Sequence, residues 1–190
     1  MRPTLDTDRL TLRQIRDDDA PSFSALAGDF DISRMTGTIP YPLPLLSAEF
    51  KILSLKARQR QNLGYPYAIT QKGQDALIGV IDLFRRKKDD ILEIGYWIGR
   101  PYWGQGYATE ASKAIIAEAK TELGIKRLCA GAFSDNPASL HILEKIGFKR
   151  TGQTELYFSI ARMQKASSVL FNLSFENDTG QNRSDLLELS

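Results

Sequence analysis

Apolar and polar residues alternate over residues 9–15, the two-residue period of a half-buried strand. An acid-headed segment opening at Asp17 predicts a helix to about Ala27. The stretch Ile39, Pro40, Tyr41, Pro42, Leu43, Pro44 is too rich in proline for either periodic element. Ser47 then caps a predicted helix ending near Gly64. Residues 65–70 and 76–84 read as strands joined at Lys72 and Gly73, and a charged tip over 85–90 leads to a strand at 91–98. Ala108, Ala111, Ile115, Ala119 and Leu123 form one apolar stripe at helical spacing, which predicts a helix over 109–123. A strand at 127–133, a short helix opening at Asn136, and weaker strands at 154–162 and 168–175 follow. Residues 176–190 are mostly polar and are expected to be a disordered tail.

Strands joined mostly by short hairpins, with helices inserted between them, predict an α+β fold. Its sheet is mixed and mostly antiparallel, with about six or seven strands and about four flanking helices, in a single domain over residues 1–175.

The strand at 91–98 runs into Tyr102, Trp103, Gly104, Gln105, Gly106, Tyr107, Ala108, Thr109, where two glycines alternate with one residue and a helix opens at once. A turn of this kind aims several backbone N–H groups and the positive end of a helix dipole at one point. Glycine is needed there because a side chain would keep an anion from the amides. The pattern reads as a phosphate cradle, with a plain strand-to-helix turn as the competing reading. It is not a P-loop, which needs Lys-Ser/Thr after its second glycine, nor a dinucleotide fingerprint, which needs glycine where Thr109 stands.

Further on, Asn136 and Pro137 open the short helix, Leu140, Leu143 and Ile146 give it an apolar side, and Gly147 and Phe148 close it. Asn-x-x-Ser (Asn136 to Ser139), followed by Glu-Lys-x-Gly-Phe (Glu144 to Phe148), and the glycine turn resemble two motifs of the GNAT superfamily of N-acyltransferases, in family order. The first is the acyl-CoA pyrophosphate loop, Gln/Arg-x-x-Gly-x-Gly/Ala, on Trp103 to Ala108. Trp103 replaces the usual Gln/Arg, a departure shared with the branch that acetylates the N-terminal Ala or Ser of ribosomal proteins. The resemblance covers roughly residues 8–160. It implies a sheet that splays beside the strand preceding the loop and admits the cofactor's pantetheine arm. It also implies acetyl-CoA as cosubstrate, held by Ile94, Tyr96, Ile98, Trp103, Gly104, Gln105, Gly106, Tyr107, Ala108, Thr109, Asn136 and Ser139.

Acetyl transfer to an amine needs a neutral amine, a polarised carbonyl and a proton for the departing thiolate. An alkyl amine is only about 0.1% neutral at pH 7, so a general base helps. Glu93 is the one charge in the apolar run 91–98, and such surroundings raise a carboxylate's basicity. Its position resembles that of the family's catalytic carboxylate. A solvent-facing strand residue is the competing reading. For the acid, the family's helix tyrosine falls on Leu143, which cannot donate. The resembling branch uses a serine at the position of Ser139, with Tyr102 and Tyr107 as alternatives. The carbonyl would be polarised by a backbone N–H within 94–97. Arg34 and Tyr41 lie where related enzymes form the acceptor mouth, and with Glu93 they are the candidate acceptor contacts.

Composition narrows the rest. The net charge of +2 argues for neither nucleic acid nor membrane as partner, and no run reaches the length of a membrane helix. The N-terminus lacks a signal-peptide core, and the lone Cys129 inside an apolar strand suits the cytoplasm. One His and one Cys without ligand spacing predict no metal. His141 is expected at the surface, and Cys129, with no base at partner spacing, argues against a covalent enzyme intermediate. The resulting expectation is direct transfer from acetyl-CoA to a primary amine, first a protein or peptide N-terminus, alternatively a small amine such as an antibiotic, polyamine or amino acid. The partners are then acetyl-CoA and this acceptor, in a monomer or homodimer. A non-catalytic acyl-CoA-binding module is the rival of another class.

Overall fold

A computed structural model describes residues 1–86 and 91–175. The expected tail at 176–190 and most of the charged tip at 85–90 therefore lie outside the described residues. Among the described residues eight strands form one sheet: β1 (Thr4–Asp6), β2 (Leu10–Gln14), β3 (Gly64–Gln71), β4 (Leu77–Arg85), β5 (Leu92–Ile98), β6 (Arg127–Phe133), β7 (Lys149–Ser159) and β8 (Gln164–Ser174). Their order is β1-β2-β3-β4-β5-β6-β8-β7. Five helices accompany them: α1 (Ala20–Ala27), α2 (Phe30–Ser33), α3 (Leu45–Arg60), α4 (Tyr107–Leu123) and α5 (Pro137–Lys145).

The α+β expectation holds, with more elements than the periodicity counted. The extra strand β1 and the extra helix α2 are too short to show a period. Ser47 is not the cap of α3: Pro44 holds that place in extended conformation, and its carbonyl accepts from the N–H groups of Ser47 and Ala48. The added first turn carries the exposed Leu45 and Leu46, so no apolar period marked it. At the other end the helix stops at Arg60 rather than near Gly64, because Asn62 turns left-handed and Leu63 donates back to the Arg58 carbonyl. The late strands are longer than expected. A register shift in β7 between Arg150 and Thr154 interrupts the alternation there.

Helices cover both faces of the central strands, which is why β4 is buried from Leu77 to Leu83. On one face Ile81, Leu83 and Ile94 pack with Ala111 and Ile115 of α4 and with Leu143 of α5. On the other, Ala68 and Val80 pack with Phe23 of α1 and with Ile52 and Leu55 of α3. Every neighbouring pair of strands is antiparallel except β5–β6, which is parallel. That pair meets only at Glu93–Cys129 and Ile94–Ala130. Beyond it β5 stays on β4 through Ile98, and β6 stays on β8 through Phe133, so the two strands part and leave a wedge. The splay expected from the resemblance is present.

Candidate active site

The glycine turn lies at the end of β5. Gly104 and Gly106 take φ of +74° and +80°, the left-handed region that side chains disfavour. Gly106 is the N-cap of α4 and brings no capping side chain, so the first-turn N–H groups of Tyr107, Ala108 and Thr109 lack an intrahelical partner. The space around Gly104 is open, with nothing within 4 Å of where a Cβ would stand. These features fit the diphosphate of acetyl-CoA. Trp103, in place of the family's Gln/Arg, donates its indole N–H to the Ile98 carbonyl at 2.6 Å and ties the turn to β5.

Arg9 is a residue that the sequence reasoning passed over. Its guanidinium donates to the Gln105 carbonyl at 2.9 Å, pairs with Glu110 at 2.6 Å and lies over the Tyr107 ring. It thereby fixes the turn from the β1–β2 connection, and it offsets the Glu110 carboxylate beside that turn. Arg9→Ala should raise the KM for acetyl-CoA by about ten-fold with a smaller change in kcat, as initial rates at saturating acceptor would show.

Alternation along β5 assigns the candidates to opposite sides of the sheet. Ile94, Tyr96 and Ile98 face α4 and α5. The side chains of Ile94 and Ile98 are spent on the core, which leaves their backbone for a cofactor. Tyr96 reaches α5, where its phenol stands 3.1 Å from Ser139 Oγ across the wedge. Burial pushes that phenol up to about 12, opposed by the Ser139 bond, so it stays protonated at neutral pH. Asn136 caps α5 by accepting from the Ser139 N–H at 3.1 Å, which fixes the serine in the first turn. Leu143, the position of the family's tyrosine, is buried in the core.

Glu93 and Trp97 face the other way, Trp97 edge-on to Phe23 of α1. Glu93 is half-buried rather than a plain surface residue. A Cβ on Gly131, just past the paired segment of β6, would stand 3.8 Å from Glu93 Oε1, so the carboxylate hangs over the mouth of the wedge. Tyr157 of β7 is nearby: burial raises its phenol, and the charge of Glu93 raises it further. Nothing in the strand pattern of residues 154–162 had marked Tyr157 as part of this face.

The remaining candidates lie farther out. Arg34 pairs with Asp31 at 3.2 Å and with Asp135 at 3.6 Å, beside the start of α5. Tyr41 is exposed and packs on Phe30. Tyr102 lies in a tight turn, and Tyr107 accepts a bond from Gln71. His141 is exposed. Among the described residues no group of His, Cys, Asp or Glu could hold a metal, and no helix is long and apolar enough to cross a membrane.

Cys129 is buried, and its thiol donates to the Leu92 carbonyl at 3.5 Å. The register sets it opposite Glu93, so a carboxylate does neighbour it, which sequence spacing could not show. Cys129→Ala should keep near-normal turnover at a stability cost of about 1 kcal/mol. A kinetically competent S-acetyl group on Cys129, seen by rapid quench and mass spectrometry, would instead establish a covalent route.

Residues 9–149 match the family described as Acetyltransferase (GNAT) domain. The uncharacterized N-acetyltransferase YoaA of Bacillus subtilis is 32% identical over 158 residues, which are 83% of this chain and 89% of YoaA. The ribosomal-protein-serine acetyltransferase of Escherichia coli is 33% identical over a shorter match, 40% of this chain and 42% of that protein. In fold, the chain is similar to the ribosomal L7/L12 alpha-N-protein acetyltransferase RimL in complex with coenzyme A. The TM-score is 0.78 at 15% identity, covering 90% of this chain and 97% of that one. The chain belongs to the GNAT family of N-acetyltransferases and is an acetyl-CoA-dependent acyltransferase.

Proposed function

We propose that the protein acetylates the α-amine of a protein or peptide N-terminus in the cytoplasm, by direct attack within a ternary complex. The observation that carries this reading is the two-sided wedge. Glu93 leans over it on the face of α1 and α3, while Tyr96 and Ser139 meet on the face of α4 and α5. The cofactor enters from the α4 side, held by the turn Trp103 to Thr109 and by the start of α5 at Asn136. Its thioester lies between the parted strands, and the amine approaches from the Glu93 side.

Glu93 takes the proton that the amine loses, directly or through water. The β5 backbone edge over residues 95–98, which has no partner in β6, offers an N–H to the thioester oxygen. As the C–S bond breaks, the Ser139 hydroxyl gives a proton to the sulfur. Tyr96, donating to Ser139 Oγ, frees and orients the serine proton for that transfer. Arg34, at the rim, is assigned to the acceptor's approach, and Tyr41 to an outer contact. The likeness to ribosomal-protein acetyltransferases supports a protein N-terminus over a small amine.

Acetyl-CoA turnover with N-terminal peptides beginning Ala or Ser, set against polyamines and aminoglycosides, tests the assignment. Peptides should have the higher kcat/KM, and acetylation of only the small amines would overturn it. A protein that binds acetyl-CoA yet transfers to no amine would be a binding module. Within the scheme, Ser139→Ala should lower kcat by about 10-fold or more with little change in acetyl-CoA affinity, because the proton is needed only as the thiolate forms. An unchanged rate with chemistry limiting would pass the acid role to another group or to water.

A further inference from the structure

Lys51, Leu55 and Arg58 recur at the spacing that places side chains on one side of α3. Leu55 is buried in the core, and the two cations flank it over the sheet face that carries Glu93. Arg58 is committed: it pairs with Asp82 of β4 at 2.5 Å and lies over the Phe84 ring. The other oxygen of Asp82 accepts from the Tyr65 N–H at 3.1 Å. Lys51 is placed differently. Its half-buried ammonium donates to the Thr38 hydroxyl at 2.6 Å, and among the described residues it has no carboxylate within 4 Å.

Several links locate this ammonium beside the wedge. Asp82 stands opposite Gly95 of β5 in the register. Gly37, next to Thr38, packs under the Tyr157 ring, and its carbonyl accepts from Ile160, so the loop bearing Thr38 spans from α3 to the end of β7. The Tyr157 phenol feels the charges of both Glu93 and Arg58. Lys51 bonds Thr38, the neighbouring Gly37 lies against Tyr157, and Tyr157 feels the charge of Glu93, so these residues follow one another across the side of the sheet that carries Glu93. A cation drawn partly out of water, bonded to a neutral hydroxyl and only partly offset by the Asp82 carboxylate that Arg58 already holds, gains from a further anion.

We propose that Lys51 receives an anionic group of the acceptor, so that preferred substrates are primary amines carrying a carboxylate or phosphate within reach of the amine. The inference rests on the assignment of the Glu93 face to the acceptor. The charges on this side of the sheet then sort the ends of the substrate: the amine goes to Glu93 and the anion to Lys51. Polycations such as polyamines meet the Lys51 ammonium and are disfavoured.

Burial, then the charge of Arg58, lowers the Lys51 amine to about 8, while Asp82 raises it in part. The charged groups acting on it are Arg58 on its own helix and Asp82 on β4, with Glu93 on β5 and Tyr157 on β7 farther along the same side of the sheet. Since only the ammonium attracts an anion, preference for anionic acceptors should fade as pH rises through about 8.

Four acceptors test this: two peptides with the same N-terminal Ser, one followed by Asp and Glu and one by Asn and Gln, and a free amino acid with its amide. In the wild type the anionic member of each pair should have a kcat/KM about ten-fold higher or more, as expected for a charge-assisted hydrogen bond. A preference in the peptide pair alone identifies a peptide side chain as the anion's source, and one in the amino-acid pair alone identifies the α-carboxylate. Lys51→Met should collapse the difference, and Lys51→Arg should keep most of it. Calorimetric binding of the four amines to the CoA-loaded protein gives a second readout that needs no turnover. Absence of transfer to every amine would defeat the acetylation reading. Equal affinities within both pairs, or a preference that survives Lys51→Met, would defeat the role of Lys51.

Discussion

Glu93→Gln is expected to lower turnover at pH 7 by about 10²–10⁴-fold, the usual worth of general-base assistance, while acetyl-CoA affinity and melting temperature change little. Glutamine keeps the size of the side chain and much of its hydrogen bonding but cannot take a proton. The site is half-buried at the wedge, and neither Cys129 opposite it nor Gly131 beside it on β6 offers a carboxylate to replace the one lost. The defect should shrink with rising pH. An N-terminal α-amine titrates near 8, so above about pH 9 most of the acceptor is already neutral and the base has less to do. Wild type and mutant should therefore converge on the alkaline side of the kcat/KM profile. Equal rates at pH 7 with chemistry limiting would remove Glu93 from the mechanism. A parallel loss at every pH would make its role one of shape or charge rather than proton transfer.

Strand β5 was legible in the sequence, and Glu93 stood out as one charge in its apolar run, with a solvent-facing residue as the competing reading; the cap Asn136 with Pro137 marked the start of α5. The glycine turn was legible for a similar reason: two glycines in alternation at a strand–helix junction serve little purpose unless the backbone must be reached. The partners of these residues were not. Tyr96 and Ser139 are 43 positions apart and meet because β5 and β6 part above a two-residue contact, a tertiary fact that no period carries. Arg9 is about a hundred positions from Gln105 and read as an ordinary charge on an alternating strand. Lys51 has nothing in its own stretch of α3 to set it apart, and only its bond to Thr38 joins it to the loop that packs against Tyr157. Tyr157 lies on the edge strand β7, whose exposure over most of its length erases the polar–apolar alternation. Local chemistry is written in short windows, whereas the assembly of a site from distant strands depends on register.

Gly106→Val should weaken acetyl-CoA binding by about ten-fold to a hundred-fold, the cost of losing one or two charge-assisted hydrogen bonds. Two effects act together. At φ +80° a β-branched side chain is strongly disfavoured, so the turn must relax away from the geometry that aims the N–H groups of Tyr107 to Thr109. The new side chain also stands where the phosphate would approach, with its Cβ 3.5 Å from Arg9 Nη2, a contact loose enough that the core is not pressed. The damage should therefore fall on binding more than on folding, and a melting temperature within a few degrees of wild type would show this. Gly106→Ala separates the two effects. It keeps most of the conformational strain but projects less into the cradle, so its affinity should lie between those of wild type and Gly106→Val. Calorimetry with coenzyme A, acetyl-CoA and dephospho-CoA, which lacks the 3′-phosphate, would localise the loss. An equal loss for all three assigns the turn to the diphosphate, whereas a loss confined to the first two assigns it to the 3′-phosphate. Unchanged affinity in a folded Gly106→Val protein would mean that the turn is only a connection between β5 and α4, with the cofactor's phosphates held elsewhere.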